Sequence, residues 1–565
     1  MISQKTVEEI GNLTLIELEE VSQLLKKEHQ KEPCPEKKRK IRNELDDLLY
    51  YRCASDIELF CITFFPHWCE HDFNDFHRDL FSSYKFDQRR NRLCRAAPRG
   101  YAKSSVVAFF KPIHDLCYKL ERFIVIMSNT EPQAKQKLKD IRSEILTNDF
   151  LSNFYNLSFL GGKKAGETDF IACCDDYEIR YLAHGSGTEV RGIRFGAFRP
   201  SKVVLDDIEH STKVFNEAIR DQFEDWYNDV VTKIGDEKTN IEFIGTVLHP
   251  KALLCKTLDN PSYNSKLYKA VQSWAENQDL WQKWREIYSD LDNSDRVDSA
   301  LSFFEDNKED MLQGSRVLWP DKEPYYNLMV EMLETGKRSF MKEKMNSPLS
   351  DDENLFNPEE FHWFKEVPEG LLIEQSGVII PWNELRAYGV IDPSTGLQVA
   401  SRTKKGDFAC IPVGYLDRKG RLFVHNDITK RMPPTKQIQQ IFNLHEKYTF
   451  EKFGVETNLY RNLLLPNIIE ERKRREQISK KKMKIPFYDI VQTDNKIKRI
   501  HTIEPKVSHG WILFNKTLSQ EFISQFDEFP KGSHDDAPDA VEMLWNLVNG
   551  RYDKNAVSIN PMVGR

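Results

Sequence analysis

The run Ala97-Pro98-Arg99-Gly100-Tyr101-Ala102-Lys103-Ser104 sets small residues, a lysine and a hydroxyl at the spacing of a phosphate-binding loop. In such a loop backbone N–H groups wrap the phosphates of a nucleoside triphosphate, the lysine reaches the terminal oxygens and the serine holds Mg2+. Ala97 and Ala102 stand where glycines are usual, so on the loop alone an ordinary turn before a helix competes with this reading. A second element shifts the balance. Val203-Val204-Leu205 is a buried-strand run ending in Asp206 and Asp207, with Glu209 just beyond. Carboxylates at the end of a core strand repel one another and resist desolvation, which a nearby cation relieves. Asp206 would hold Mg2+ through water, and either Asp207 or Glu209 would polarise the attacking water. The competing reading is a strand running into a solvated acidic turn.

A separate set of acids follows after residue 385. Tyr388-Gly389-Val390-Ile391 is a short apolar strand delivering Asp392, and Lys452-Phe453-Gly454-Val455 repeats the arrangement with Glu456. His534-Asp535-Asp536-Ala537-Pro538-Asp539 then opens an apolar helix through Met543, Leu544, Leu547 and Val548. Three acids from separate elements can converge on two divalent ions, which clamp the attacking water and the leaving oxygen of a phosphodiester. Taken singly each has a duller role: Asp536 and Asp539 as acids at a helix N-terminus, Asp392 before Pro393 as a turn residue. Asp407, opening the next strand through Val413, is an auxiliary candidate.

The elements that must position these residues are legible in outline. Arg92 to Ala96 reads as a strand before the loop, and Ser104 to Phe110 as the start of a helix after it. Phe123 to Met127, Val203 to Leu205 and Ile241 to Val247 read as strands alternating with helices, which argues for a largely parallel α/β sheet. Residues 55–80 are aromatic-rich; Phe76 or His77 is either a base-stacking side chain or plain core. Residues 251–380 read as helical and irregular without evident chemistry.

The chain has 565 residues and a formal charge of −7, which carries no global nucleic-acid signal. Its ten cysteines lack zinc-site spacing and read as reduced thiols. With no membrane-length apolar run and no secretory signal, it reads as soluble and intracellular. Five segments are expected: a charged helical prelude (1–55), a P-loop ATPase domain with a helical extension (56–365), a linker (366–384), a nuclease domain (385–550) and a tail (551–565).

In the order and spacing of these motifs the chain resembles the large terminase subunit of tailed bacteriophages. Further marks are Gly187-Thr188-Glu189-Val190-Arg191-Gly192, Gly245-Thr246 and Phe340-Met341-Lys342-Glu343-Lys344-Met345-Asn346-Ser347-Pro348. The resemblance implies an additional-strand P-loop ATPase fold followed by a ribonuclease H-like nuclease fold. It implies ATP with Mg2+ at Lys103, Ser104 and Asp206, coupling through Gly245 and Thr246, and Arg99 as a cis arginine with Arg191 in reserve. For the nuclease it implies Asp392, Glu456 and Asp536 on Mg2+ or Mn2+, two ions in all, with Asp535 and Asp539 as neighbours. The implied partners are double-stranded DNA, a portal protein, a small terminase subunit and further copies in a ring, in the host cytoplasm. Arg472, Lys473, Arg474, Arg475, Lys480, Lys481, Lys482, Lys484, Lys496, Lys498 and Arg499 form a group that could neutralise a DNA backbone. A helicase-nuclease of repair or restriction is the alternative enzyme, and a docking protein that no longer binds ATP the non-enzymatic one.

Overall fold

The computed structural model describes residue 23 and residues 35–552, apart from 87, 162–165, 167–168, 211–213, 215, 349–353, 394–407, 457–460, 481, 493–494 and 533. Asp407 and Lys481 therefore lie outside the described residues, as do most of the expected prelude and nearly all of the expected tail. The chain divides into two compact units. One comprises residues 1–274, 314–329 and 339–348, the other 275–313, 330–338 and 349–565.

The first unit is built on strands β1 (Arg92–Ala96), β2 (Phe123–Ser128), β3 (Leu157–Phe159), β4 (Asp169–Cys174), β5 (Tyr177–Gly185), β6 (Lys202–Asp206), β7 (Asn240–Gly245) and β8 (Asn264–Leu267). They form one sheet in the order β3-β4-β5-β2-β6-β7-β1-β8, parallel from β5 onward. Val, Ile, Leu and Phe fill β2, β6 and β7, and all three are buried throughout, as a parallel sheet covered on both faces requires. β7 lies between β1, which leads into the loop, and β6, which delivers Asp206. That inserted strand is the mark of the additional-strand P-loop fold. The registers Ala96↔Gly245 and Asp206↔Ile244 put the ends of β1, β6 and β7 on one edge of the sheet. Short strands β9 (Val271–Ser273) and β10 (Arg316–Val317) pair beside it.

The second unit carries β11 (Trp363–Val367), β12 (Gly370–Ile373), β13 (Ile379–Pro381), β14 (Arg386–Ile391), β15 (Ala409–Leu416), β16 (Leu422–Lys430), β17 (Lys452–Glu456), β18 (Phe487–Ile490) and β19 (Ile512–Asn515). Their order is β13-β12-β11-β19-β16-β15-β14-β17-β18. Within it, β16-β15-β14 is an antiparallel meander, and β17 and β18 extend β14 in parallel. This is the ribonuclease H-like arrangement, widened by four strands beyond β16. Residues 366–384, expected as a linker, are corrected to part of this sheet. The apolar Leu371, Ile373 and Ile380 are buried against Phe364, Phe423 and Leu513, which a free linker would leave in water.

Period-two alternation along β14 explains the layering. Val390 faces a core shared with Ala537, Ala540, Val541, Met543, Leu544 and Leu547 of the helix Asp536–Val548. Its neighbour Ile391 faces the opposite core, with Ile438, Ile441 and Phe442 of the helix Pro434–Tyr448. Each fully buried aliphatic side chain contributes about 1.5–3 kcal/mol, so both helices are clamped to the sheet. Gly454 allows the tight spacing, since a Cβ there would stand 2.4 Å from Ile490 Cδ1.

Candidate functional site

In the first unit the loop leaves β1 and turns back through two left-handed residues, Gly100 at φ 86° and Ala102 at φ 49°. For alanine this costs about 1 kcal/mol, and the surroundings hold it there. Ala97 N–H donates to Gly245 O (3.0 Å) and Arg99 N–H to Glu343 O (2.9 Å). Lys322 Nζ donates to Gly100 O (2.5 Å), and Lys344 Nζ, fixed on Glu323 (2.6 Å), reaches Arg99 O (3.3 Å). The helix after the loop, Lys103–Ser105, widens at once into a buried π turn, Val106–Phe110, a distortion that recurs at functional sites.

Around this cradle the expected residues meet. Ser104 Oγ donates to Asp206 Oδ1 (2.8 Å). Lys103 Nζ donates to Thr246 Oγ1 (2.7 Å) and stands 3.4 Å from Asp207 Oδ2. Thr246 N–H donates to Asp207 Oδ1 (3.2 Å), so the end of β7 touches both the lysine and the acid. Asp207 sits at φ 47°, a conformation that costs a non-glycine residue energy and is a pointer to function. Its side chain is half exposed. Glu209 has turned away: its two oxygens accept from Leu253 N–H (2.8 Å) and Leu254 N–H (3.0 Å) at the start of the helix Leu253–Leu258. Burial raises the pKa of Glu209 even so.

The Arg99 side chain is 75% exposed and lies 3.6 Å from Glu343. Arg191 is exposed beside Glu189. Neither Phe76 nor His77 can stack on a base, because both are fully buried. His77 instead braces the loop: its Nδ1 accepts from Asn74 N–H (3.1 Å) and its Nε2 donates to Tyr101 O (2.9 Å). One residue absent from the sequence reading is Lys137, on the helix Glu131–Thr147, whose ammonium pairs with Asp206 Oδ2. Burial pushes it down to about 8, against the attraction of Asp207. A lone lysine on a charged helix carries no signal of this kind in sequence.

The bracing by His77 has a pH signature. Burial pushes its pKa down to about 4 from 6.5, and a second ring proton would confront the Asn74 N–H. Because the folded value lies below the unfolded one, the contribution is complete above pH 6.5 and is lost as pH falls from there toward 4. It amounts to roughly 3 kcal/mol. Thermal melts at pH 7 and pH 4.5 should show wild type losing more stability than His77→Gln. Equal losses would exclude this role.

In the second unit the register Ile391↔Val455 places Asp392 and Glu456 side by side at the ends of neighbouring parallel strands. The helix Asp536–Val548 brings Asp536 and Asp539, both buried, with Asp535 at its N-cap. Burial raises Asp392 far above the usual carboxylate range despite Lys496, and Asp539, Asp536 and Glu456 add to the rise. Glu456 is raised by burial and by Asp539, and it hydrogen-bonds Asp392. The four acids thus lie near enough to influence one another across the strand ends and the helix start. Two cations stand among them. Lys496 Nζ lies 2.7 Å from Asp535, 3.2 Å from Asp539 and 3.9 Å from Asp392. Arg499 Nη1 lies 2.8 Å from Asp539 and 2.6 Å from Glu542.

Hard oxygen donors in surplus over cations suit Mg2+ or Mn2+. Six carboxyl groups (Asp392, Glu456, Asp535, Asp536, Asp539 and Glu542) face two cationic side chains. As the side chains stand, no three His, Cys, Asp or Glu among the described residues are grouped around a single ion position. The lysine and arginine draw the acids to themselves. The donor types fit a divalent ion, and admitting one requires these pairs to rearrange.

The basic group divides. Arg474 and Arg475 are tied to Glu471, and Arg475 also to Glu446. Lys496 and Arg499 belong to the acid cluster. These four are therefore engaged with the protein's own acids, whereas Lys473, Lys480, Lys482, Lys484 and Lys498 are exposed.

No family model matches the chain, and no curated protein matches it. Among solved structures, the large terminase from a thermophilic bacteriophage, in complex with ADP, is 10% identical, with 85% of this chain and 100% of that chain covered and a TM-score of 0.42. The HK97 bacteriophage large terminase is 11% identical over 82% of this chain and 90% of that chain, TM-score 0.33. The chain is similar to large terminases. The Mn-soaked, inhibitor-bound human cytomegalovirus terminase nuclease domain is 12% identical over 31% of this chain and 89% of that chain, TM-score 0.25. Among the described residues, no helix is long and apolar enough to cross a membrane.

Proposed function

We propose that this chain is a viral DNA-packaging motor that couples ATP hydrolysis to translocation of double-stranded DNA into a procapsid and cuts concatemeric DNA by metal-dependent phosphodiester hydrolysis. The carrying observation is the pairing of two acid sites with two different sheets. Lys103, Ser104 and Asp206 meet at the edge of an additional-strand sheet, and Asp392 and Glu456 end neighbouring strands of a ribonuclease H-like one, whose covering helix opens with Asp536.

At the first site the loop N–H groups and Lys103 bind the β and γ phosphates of ATP, and Ser104 and Asp206 hold the Mg2+ that accompanies them. Mg2+ held there would neutralise charge on the transferring phosphoryl group. Asp207 orients the attacking water, since Glu209 is committed to a helix N-terminus. Thr246, bonded to Lys103 and to Asp207, couples phosphate loss to movement of β7. Asp207→Asn should therefore lower ATP turnover by about a hundredfold or more with nucleotide affinity retained. Glu209→Gln should cost about 1 kcal/mol of stability and leave turnover nearly intact. Steady-state hydrolysis and thermal melts of both variants check this, and the reverse ranking would exchange the two roles.

At the second site Asp392, Glu456 and Asp536 hold the divalent ions, with Asp539 as a further donor. Such ions activate water and stabilise the leaving oxygen. The exposed lysines grip the DNA backbone without reading sequence, so binding weakens steeply with salt. The motor works as a ring of copies on a portal protein, receives DNA from a small terminase subunit, and acts in the cytoplasm of the infected cell. ATP-dependent packaging with purified procapsids, run beside plasmid cleavage in Mn2+, tests the reading. ATP hydrolysis without packaging, or strand unwinding in its place, would overturn it.

A further inference from the structure

Lys496 has the contacts of an ion rather than of a paired surface lysine. Its ammonium touches acids from two elements: Asp392 at the end of β14, and Asp535 and Asp539 at the start of the final helix. Its own backbone position works against it. Lys496 opens the helix Lys496–His501, with no acid in that helix's first turn, and the positive end of a helix disfavours a cation. The acids across the gap therefore hold it in place.

The two cations of the cluster differ in how firmly they are fixed. The Arg499 side chain is 7% exposed and is shared between Asp539 and Glu542, whose side chains are 5% and 1% exposed. Withdrawing it would strand buried charge, so it stays. The Lys496 side chain is 34% exposed. An ammonium is a compact point charge on a flexible stem, without the planar fork that locks a guanidinium to its partner. It can leave.

We propose that Lys496 is a resident counter-ion of the acid cluster, standing where a divalent ion would otherwise bind, and that it limits how many ions the acids hold until a DNA phosphate draws its ammonium away. This rests on the nuclease reading of the cluster and adds a positioning role to it. The free protein then carries a partly neutralised, under-loaded site. Contact with the DNA backbone exchanges Lys496 from carboxylate to phosphate and opens the full ion complement only where substrate is present.

The test is calorimetric titration of the full chain with Mn2+ in the absence of DNA, with Asp392→Asn supplying the contribution of all other sites. Lys496→Met, matched in length but neutral, should bind Mn2+ about tenfold more tightly or with an additional ion. Its thermal midpoint should also rise more on adding Mn2+ than that of wild type. Lys496→Arg, which keeps the charge, should titrate like wild type. If Lys496→Met does not fold in metal-free buffer, Lys496→Gln carries the same comparison. Isotherms of Lys496→Met and wild type that coincide, both clearly above Asp392→Asn, would overturn this inference and leave the nuclease reading standing. No difference between any of these proteins and Asp392→Asn would overturn both.

Discussion

Lys103→Ala is expected to reduce ATP hydrolysis by about a hundredfold to a thousandfold and to abolish packaging, while Mn2+-dependent plasmid cleavage persists. The size of the effect follows from where the ammonium sits. Lys103 is almost wholly buried, yet it lies within reach of Thr246 and Asp207 at the mouth of the loop. On the proposed reading, truncation removes the positive charge that would meet the terminal phosphate in a place water does not compensate. It also leaves Lys137 as the cation nearest Asp207. The fold should survive, because the loop is held from outside by Lys322, Lys344, Glu343 and His77 rather than by Lys103. Hydrolysis, packaging and cleavage measured on the same preparation check this. Retained hydrolysis would mean that the loop does not bind a triphosphate, and loss of cleavage as well would argue against separable sites.

Asp392→Asn should do the reverse, lowering cleavage by about a thousandfold or more with ATP turnover close to wild type. Asp392 is only 8% exposed; burial raises its pKa most, and Asp539, Asp536 and Glu456 add to the rise. An amide keeps the shape but removes the charge that two strands and a helix are arranged to concentrate. Because those acids repel one another, the variant should be at least as stable as wild type in metal-free buffer, which separates lost chemistry from lost folding. Supercoiled-plasmid nicking in Mn2+, with a thermal melt alongside, is the measurement. Undiminished nicking would remove Asp392 from the site.

Much of this arrangement is legible in the chain because parallel strands are short, apolar and end abruptly. Val203 to Asp206, Tyr388 to Asp392 and Lys452 to Glu456 each declare a strand by composition and its end by a carboxylate. The helix after Asp535 declares itself by the apolar residues Met543, Leu544, Leu547 and Val548. Periodicity is a local property, and these elements report locally. It does not report pairing. Leu371, Ile373 and Ile380 looked like connecting chain, since strands of three to five residues have too little sequence to show alternation.

The distribution of charge among neighbours was equally hidden. Asp207 and Glu209 are nearly equivalent in sequence, and the choice between them depends on a helix N-terminus more than forty residues away at Leu253 and Leu254. Phe76 and His77 were ambiguous for the same reason: a ring is a base platform or a brace according to what covers it. Lys137 was unremarkable among 81 lysines and arginines, Lys344 was one letter of a longer motif and Lys496 read as a DNA-backbone contact. Each gained its meaning from an acid or a carbonyl brought close by the fold.

By itself the sequence pointed to a lysine-serine loop and strand-end acids in one α/β sheet, and to a second trio of acids, two at strand ends and one opening a helix. Tertiary structure alone decided which acid stays free beside Lys103, which cations neutralise the second cluster, and which aromatic side chains are covered. The reason is physical. Burial and strand termination follow from short-range patterns of apolar residues, whereas electrostatic partnership depends on distances of a few ångströms between residues that the chain holds far apart.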